Sequence, residues 1–196
     1  MQKKIILLFI NILFVLGAYS QGFKGGLHAG LLATQVDGDN HGGYKKMGLF
    51  AGAFTHYSFA NERIKLQFEL NYAQKGSRNK LAFSIKLHQV EPTVLFRWNF
   101  WDNKLFLATG LSFNILASGK RFENQELVPE GIGNKFYVFN VGGIAEIGYS
   151  FHEHWGGSFR YLYSTPIGRM AGAKNGKKVE HYLFNNCLLF RIYYQF

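Results

Sequence analysis

A regular alternation of apolar and polar residues is the feature of this sequence that most constrains its fold. From Ile64 to Tyr72 every second residue is apolar, and the residues between them, from Lys65 to Asn71, are polar. A repeat of two residues is the repeat of a β-strand, whose successive side chains point to opposite faces. The segment is therefore predicted to be a strand with one apolar face and one polar face.

Seven further segments extend this pattern to a series of eight strands. The predicted strands are residues 22–36, 47–59, 64–75, 85–100, 105–117, 137–150, 158–164 and 184–196. The facing of residues 47–59 stays open, because Leu49 and Tyr57 share one face while Phe50 and Phe54 share the other. In residues 85–100 the apolar positions change parity after Leu87, which predicts a β-bulge near residues 88–89 and places Pro92 on the outward face.

The connections between these segments alternate in length. Residues 60–63, 101–104 and 152–155 are short turns, whereas residues 37–46, 76–80, 118–136 and 166–181 are longer polar segments. Short turns at one end and long loops at the other are typical of outer-membrane barrels, whose short turns face the periplasm. The sequence predicts an all-β fold, a closed antiparallel eight-stranded transmembrane β-barrel.

The main structural alternative is a water-soluble eight-stranded carrier barrel. Such a carrier has an apolar lumen and a polar exterior, the inverse of a membrane barrel. The sequence contains 20 Phe and 11 Tyr, many of them in continuous rows along the apolar faces. A carrier would expose these rows to water, so the membrane barrel is favoured.

The first twenty residues have the pattern of a secretory signal peptide. Lys3 and Lys4 precede an apolar run from Ile5 to Leu16, and small residues surround Tyr19. Twelve residues of helix span about 18 Å, too short for a hydrocarbon core of roughly 30 Å. We expect a signal peptide over residues 1–20, a barrel domain over residues 21–196 and localisation in the outer membrane of a Gram-negative bacterium.

Charged residues on the polar faces predict ion pairs inside the barrel. Hairpin pairing through the turn at residues 152–155 places Glu146 nearly opposite Arg160, both with inward parity, and Arg191 on the last strand extends this pair. A second group of Glu69, Glu91 and Arg97 is a further hypothesis. Charges in an apolar wall are costly unless they are paired, so an interior network is the stable arrangement.

Two motifs invite a hypothesis of chemistry. His56 and Ser58 suggest a lipid A-modifying barrel enzyme, an acyl hydrolase or transferase, but they lie beside a short turn rather than at the outer leaflet. The His152-Glu153-His154 motif lies in a tight turn and has no third metal ligand identifiable in sequence. We expect no catalytic residues, no metal and no cofactor, and the lipid A enzyme remains the alternative function.

The formal net charge of +10 suggests an anionic partner. No basic cluster with a nucleic-acid recognition motif accompanies the charge, so nucleic acid is not expected. Attraction to the membrane surface explains it better, and the run at residues 174–178 is expected to be a solvated loop that could contact lipopolysaccharide phosphates. Outer-membrane lipid is the expected partner.

Several features along the sequence resemble those of a known family. Gln21 after the signal, the Gly-rich first strand, Glu91-Pro92 before an aromatic run and the terminal Phe196 together resemble the PorT-like outer-membrane β-barrel proteins. The last strand also resembles the signal that barrel-assembly machinery recognises, through the alternating residues Phe190, Ile192, Tyr194 and Phe196. This resemblance implies that machinery as a partner during insertion. The resemblance implies a link to secretion-system components, although fold alone does not carry function.

The barrel size limits the function that the sequence predicts. An eight-stranded barrel has interior space for little more than its own side chains. A general diffusion pore is therefore not expected, and we predict a non-enzymatic structural or binding protein, accessory to secretion or transport if the resemblance extends to function.

Overall fold

The structure, a computed structural model, describes most of the chain, and the regular elements in the described residues are antiparallel β-strands. The described residues are 22–39, 42–59, 63–79, 83–124, 126–129, 134–174 and 177–196. In this part of the chain no helix is long and apolar enough to cross a membrane. The predicted signal peptide lies outside the described residues.

Ten strands are present in the described ranges. In chain order they are β1 (Phe23–Asp37), β2 (Lys46–Ser58), β3 (Ile64–Arg78), β4 (Ser84–Phe100), β5 (Leu105–Glu123), β6 (Glu126–Val128), β7 (Asn134–Phe136), β8 (Phe139–Ser150), β9 (Trp155–Lys174) and β10 (Lys177–Gln195). Strands β1 to β5 and β8 to β10 pair in sequence order, with β5 next to β8. The short strands β6 and β7 add to β5 and β9.

Pairing of β10 with β1 closes the sheet into a barrel. The register places Leu27 opposite Tyr194 and Asp37 opposite Phe184. Closure gives the outermost strands a partner, so that backbone N–H and C=O groups within the wall are hydrogen bonded inside the protein. The predicted closed eight-stranded antiparallel barrel is confirmed.

Side chains alternate between the lumen and the outer wall as the two-residue repeat predicted. The open facing of β2 is decided, since Phe50 and Phe54 are buried in the lumen while Leu49 and Tyr57 are exposed on the wall. Exposed aromatic residues gather near the end of the barrel that carries the short turns, and they include Tyr57, Phe59, Trp98, Trp101, Phe151, Trp155 and Phe196. Such a girdle is typical of the interface between apolar membrane and water.

We call this end of the barrel the short-turn rim and the opposite end the long rim. The short-turn rim carries the connections β2–β3, β4–β5 and β8–β9 together with Phe196, and the long rim carries the other connections. At the β4–β5 connection three consecutive residues, Trp101, Asp102 and Asn103, have positive φ angles of 49°, 51° and 61°. This left-handed stretch reverses the chain within four residues.

The prediction of a long loop over residues 166–181 was wrong, because β9 continues to Lys174 and β10 begins at Lys177. Pro166 suggested a strand end, since proline cannot donate to a ladder. The strand tolerates it through a register irregularity at Phe184. Next to it, Ser164 Oγ accepts a hydrogen bond from the Asn185 N–H at 2.9 Å, and Thr165 Oγ1 accepts one from the Val141 N–H at 3.0 Å.

The predicted loop over residues 118–136 is also partly strand, and the bulge expected near residues 88–89 lies next to it. The register of β4 with β5 shifts between His88 and Gln89, but the additional residue is Ala117 on β5. Strand β4 keeps one parity throughout, with Ile85 and Leu87 buried in the lumen like Gln89. The change of apolar parity along β4 therefore reflects apolar residues inside the barrel rather than a bulge in that strand.

A closed barrel predicts heat-modifiable migration of the mature protein in detergent. Because strand pairing satisfies the backbone around the whole barrel, the unheated protein should remain folded in dodecyl sulfate and migrate as a compact form. Boiling should convert it to a slower, unfolded band in gel electrophoresis. Identical migration of both samples, together with recovery of the protein in a soluble periplasmic fraction, would instead support the carrier barrel.

Candidate functional site in the lumen

The lumen is filled by side chains in successive layers. A layer of four charged residues, which we call the charged layer, lies toward the short-turn rim and consists of Glu69, Glu146, Arg160 and Arg191. Farther toward the long rim lie mostly polar residues, and the long rim itself is filled by apolar side chains. In the described part of the barrel these layers fill the lumen from the charged layer to the long rim.

The charged layer joins four strands across the lumen. Arg160 Nε donates to Glu146 Oε2 at 2.7 Å, and its Nη1 and Nη2 atoms donate to the two oxygens of Glu69, each at 2.9 Å. Arg191 donates from Nη1 to Glu69 Oε1 at 2.8 Å and from Nη2 to Glu146 Oε1 at 2.6 Å. Each arginine thus bonds both carboxylates, and the layer has no net charge.

Two amide side chains of β3 hold the Glu69 carboxylate in place. Gln67 Nε2 donates to Glu69 Oε1 at 2.7 Å, and Asn71 Nδ2 donates to Glu69 Oε2 at 3.1 Å. All three residues have the same parity on one strand, so the β-strand repeat itself directs them to the same place. With two guanidinium groups and two amides around it, this carboxylate is hydrogen bonded at both oxygens.

Arg191 is oriented by contacts on its other side. Its Nε atom donates to Ser158 Oγ at 2.9 Å, and its Nη1 atom lies 3.1 Å from Nδ1 of His28. Because a guanidinium can only donate, Nδ1 accepts and Nε2 of His28 carries the proton that is donated to Asn71 Oδ1 at 2.7 Å. A Cβ atom at Gly52 would lie 2.9 Å from the His28 ring, so the glycine leaves room for this contact.

The structure brings Glu146, Arg160 and Arg191 together, as the hairpin and parity arguments indicate. Glu146 and Arg160 are register partners on β8 and β9. The second group of Glu69, Glu91 and Arg97 is not formed, since Glu69 contacts the two arginines of the charged layer instead. Glu91 pairs with Lys75 at 2.5 Å, nearer the long rim.

Arg97 lies on the opposite side of the charged layer, next to the short-turn rim. Its Nε atom donates to Asn99 Oδ1 at 2.8 Å, and its guanidinium lies 3.6 Å from the centre of the Phe106 ring. Register explains the separation from Glu91, because Arg97 faces Lys65 of β3 whereas Glu91 faces Asn71. Five residue pairs of the ladder lie between the two positions.

Sequence analysis missed the apolar closure of the long rim. A cluster of buried side chains, which we call the apolar plug, consists of Val36, Phe83, Ile85, Leu87, Phe136, Ile167, Met170 and Leu183. Three of its members lie in segments that were predicted to be loops. The available signal was the group of large apolar residues in otherwise polar segments, Phe136, Ile167 and Met170.

The motifs considered for chemistry have no catalytic arrangement in the described residues. His56 is fully buried, and neither ring nitrogen has a hydrogen-bond partner there, so no bond to Ser58 activates a nucleophile. His154 Nδ1 contacts the carbonyl oxygen of Gln195 at 2.8 Å in an exposed turn. No group of three or more metal-binding side chains occurs among the described residues.

A cluster of basic residues, which we call the basic patch, lies on the outer wall near the long rim. It consists of Arg78, Lys86 and Lys120, all exposed. Lys86 and Lys120 are direct register partners on β4 and β5, and Arg78 is a diagonal neighbour of Lys86. The Lys86 ammonium lies 4.9 Å from the Phe122 ring centre.

In the basic run at residues 174–178, which was considered for contact with lipopolysaccharide phosphates, residues 175–176 lie outside the described residues.

Comparisons with known proteins agree with this architecture. The sequence matches the family described as outer membrane protein beta-barrel domain over residues 18–165. No curated protein sequence matches the chain. Among solved structures, the chain is similar to Ail, the attachment invasion locus protein of Yersinia pestis, in complex with the heparin analogue sucrose octasulfate, with 11% identity, TM-score 0.51 and coverage of 90% of this chain and 100% of Ail.

A second similar structure is Neisserial surface protein A. It is 13% identical, has a TM-score of 0.52, and the alignment covers 90% of this chain and 100% of that protein. At these identities the likeness concerns the fold alone, a small outer-membrane barrel.

Removal of one arginine from the charged layer should destabilise the barrel strongly. Arg160→Ala leaves two buried carboxylates with one guanidinium, and we expect a loss of about 3–5 kcal/mol in the free energy of unfolding, measured by reversible urea unfolding in detergent or lipid. The double change Glu146→Gln with Arg160→Gln should recover much of this loss, because Glu69 and Arg191 remain as a balanced pair. Arg63→Ala, at an exposed position, is the control. Equal losses in the single and double variants would contradict the ion-pair network.

Proposed function

Because the chain belongs to the outer membrane protein beta-barrel domain family, we propose that it is a non-enzymatic outer-membrane protein that binds anionic lipid with the outer wall of its barrel. The lumen offers no path for a solute in the described residues, since the charged layer and the apolar plug cross it. Function is therefore assigned to the outer surface and the rims.

The observation that carries the proposal is the pairing of Lys86 with Lys120 in the basic patch. Like charges directly opposite each other across two strands are destabilising, so an anionic partner between them is favourable. The patch lies on the wall that carries the apolar side chains facing lipid, at the height of the long rim. A lipid phosphate at the membrane surface fits this position, and lipopolysaccharide supplies such phosphates if the long rim faces the cell exterior.

Arg78 and Phe122 extend the same site. Arg78 adds a planar guanidinium that can bond two oxygens of one phosphate, which the ammonium groups of the lysines cannot do. Phe122 packs under Lys86 and presents an apolar surface beside the charge. The combination of cations with an adjacent aromatic ring suits a lipid that has a phosphate head and acyl chains.

Two further partners are proposed from the sequence. The alternating apolar residues at the end of β10 support recognition by barrel-assembly machinery during insertion. Resemblance to the PorT-like proteins supports an accessory role in secretion, and specific recovery of secretion-system components with the protein from detergent extracts would test it.

Lipid binding should depend on the two opposed lysines. Lys86→Gln with Lys120→Gln should weaken binding of lipopolysaccharide to the refolded protein by about 30-fold, since each lysine near an anionic surface contributes roughly 1 kcal/mol. Fluorescence titration in detergent would measure this. Lys24→Gln with Arg63→Gln removes the same amount of charge from exposed positions at the short-turn rim and should leave the affinity unchanged. Equal affinities of both double variants would contradict the proposed site.

The enzymatic alternative makes a different prediction. Replacement of His56 and Ser58 by Ala should leave the acyl composition of lipid A unchanged, because neither residue contacts the lipid side of the barrel in this arrangement. Mass spectrometry of lipid A from cells that express either protein is the measurement. A mass difference that depends on these two residues would favour an acyl hydrolase or transferase.

A further inference from the structure

A second polar site is present at the short-turn rim, where the barrel has an open cavity of about 340 Å³. Its floor is formed by Arg97 of β4 and Tyr193 of β10, and its edge includes Lys65, Lys104 and Ser150. The cavity lies between the charged layer and the aqueous space beyond the short turns. A small solute can therefore reach Arg97 from that side only.

Arg97 is a buried cation, with 4% of its surface exposed. Among the described residues it forms no ion pair with a carboxylate. Its contacts include the Asn99 amide oxygen, the Tyr193 hydroxyl and the faces of two aromatic rings, whose centres lie at 3.6 Å for Phe106 and 5.9 Å for Tyr193. A cation removed from water needs an opposite charge or several hydrogen-bond acceptors to offset its desolvation. Aromatic faces supply part of this stabilisation.

The pairing of buried charges on the barrel strands leaves Arg97 without a carboxylate. The buried charged side chains on the described strands are Glu69, Glu91, Glu146, Lys75, Arg97, Arg160 and Arg191, and a further buried carboxylate, Asp39, follows β1 at the long rim, the opposite end of the barrel. The charged layer accounts for two of each, and Lys75 pairs with Glu91. Among these strand residues Arg97 is therefore the cation without an ion-pair partner, and it is the cation that borders the open cavity.

Other polar groups beside Arg97 also have unused hydrogen-bonding capacity. Asn99 is fully buried, and its Nδ2 donor has no partner among the described residues. The Tyr193 hydroxyl contacts Ser150 Oγ at 2.7 Å at the cavity wall. The guanidinium and the hydroxyl groups that line the cavity form the kind of donor set that binds the oxygens of an anion.

We propose that this cavity, hereafter the mouth site, binds a single oxyanion, a phosphate or carboxylate group presented from the short-turn side. Arg97, which is held by the amide oxygen of Asn99, bonds it with its terminal nitrogens, and the lysines at the edge, Lys65 and Lys104, attract it. Asp102 and Glu153 also border the cavity. These acidic residues disfavour an extended polyanion and restrict the site to one small group.

The mouth site is independent of the basic patch. The two lie at opposite rims, and the patch is on the outer wall whereas Arg97 points into the lumen. Lys86→Gln with Lys120→Gln should therefore leave anion binding at the mouth site unchanged. A change at Arg97 should likewise leave lipid binding at the basic patch unchanged.

Binding of an oxyanion should stabilise the folded barrel by mass action. The mature protein in detergent is heated in the presence of increasing inorganic phosphate or, separately, acetate, with chloride added to keep the ionic strength constant. We expect the temperature at which the compact electrophoretic band disappears to rise with at least one of the two anions. A rise with phosphate alone indicates a phosphoryl ligand, and a rise with acetate alone indicates a carboxylate ligand.

The rise in heat resistance with added anion should depend on Arg97. Arg97→Gln should abolish the rise or weaken the apparent affinity about tenfold or more, as expected for loss of hydrogen bonds to a charged group. Arg63→Gln removes the same charge from an exposed position at the same rim and should keep the full response. Absence of any rise in the wild-type protein, or an equal rise in Arg97→Gln, would overturn the proposal.

A second variant tests the site without removing the arginine. Asn99→Asp places a carboxylate where the amide oxygen now lies, 2.8 Å from Arg97 Nε. If an anion is needed there, this variant should be more heat-resistant than the wild type in chloride alone and should no longer respond to phosphate or acetate. A variant that is less heat-resistant and keeps the full response would contradict the proposal, even if Arg97→Gln fails to fold.

Discussion

The arrangement of the barrel depends on the need to pair charge in a narrow lumen. Eight strands enclose a space that side chains fill, so an inward charge meets other side chains rather than bulk water. Glu69, Glu146, Arg160 and Arg191 meet this constraint by sharing hydrogen bonds in one neutral layer. This layer crosses the lumen, and the outer wall and the two rims are the surfaces of the described barrel that face lipid or water.

Much of the barrel follows from local rules. The two-residue repeat defines strands and their faces, since one face must contact lipid and the other the lumen. Short turns define hairpin register, which is why the position of Glu146 opposite Arg160 follows from sequence. Hydrophobicity alone did not decide which face of β2 points inward. Phe50 and Phe54 face the lumen although they are as apolar as the residues on the wall.

The contacts that sequence analysis could not give are those between distant strands. Glu69 bonds Arg160 across 91 residues, and no hairpin rule relates their heights in a barrel whose strands are staggered. The prediction of a loop at the long rim was wrong for another reason. Pro166 and the polar residues around it are typical of a loop, but side-chain hydroxyls replace the missing ladder bonds and allow β9 to continue, which brings Ile167 and Met170 into the lumen.

Closure of the barrel also determines the order in which it can fold. The partner of Leu27 is Tyr194, so the seam between β1 and β10 joins the two ends of the domain. Contacts at such long separation form after the local hairpins, because the intervening chain must first be ordered. Until the last strand arrives, β1 and β9 present open edges that can pair with other chains. The final residues therefore control when a nascent barrel stops being prone to aggregation.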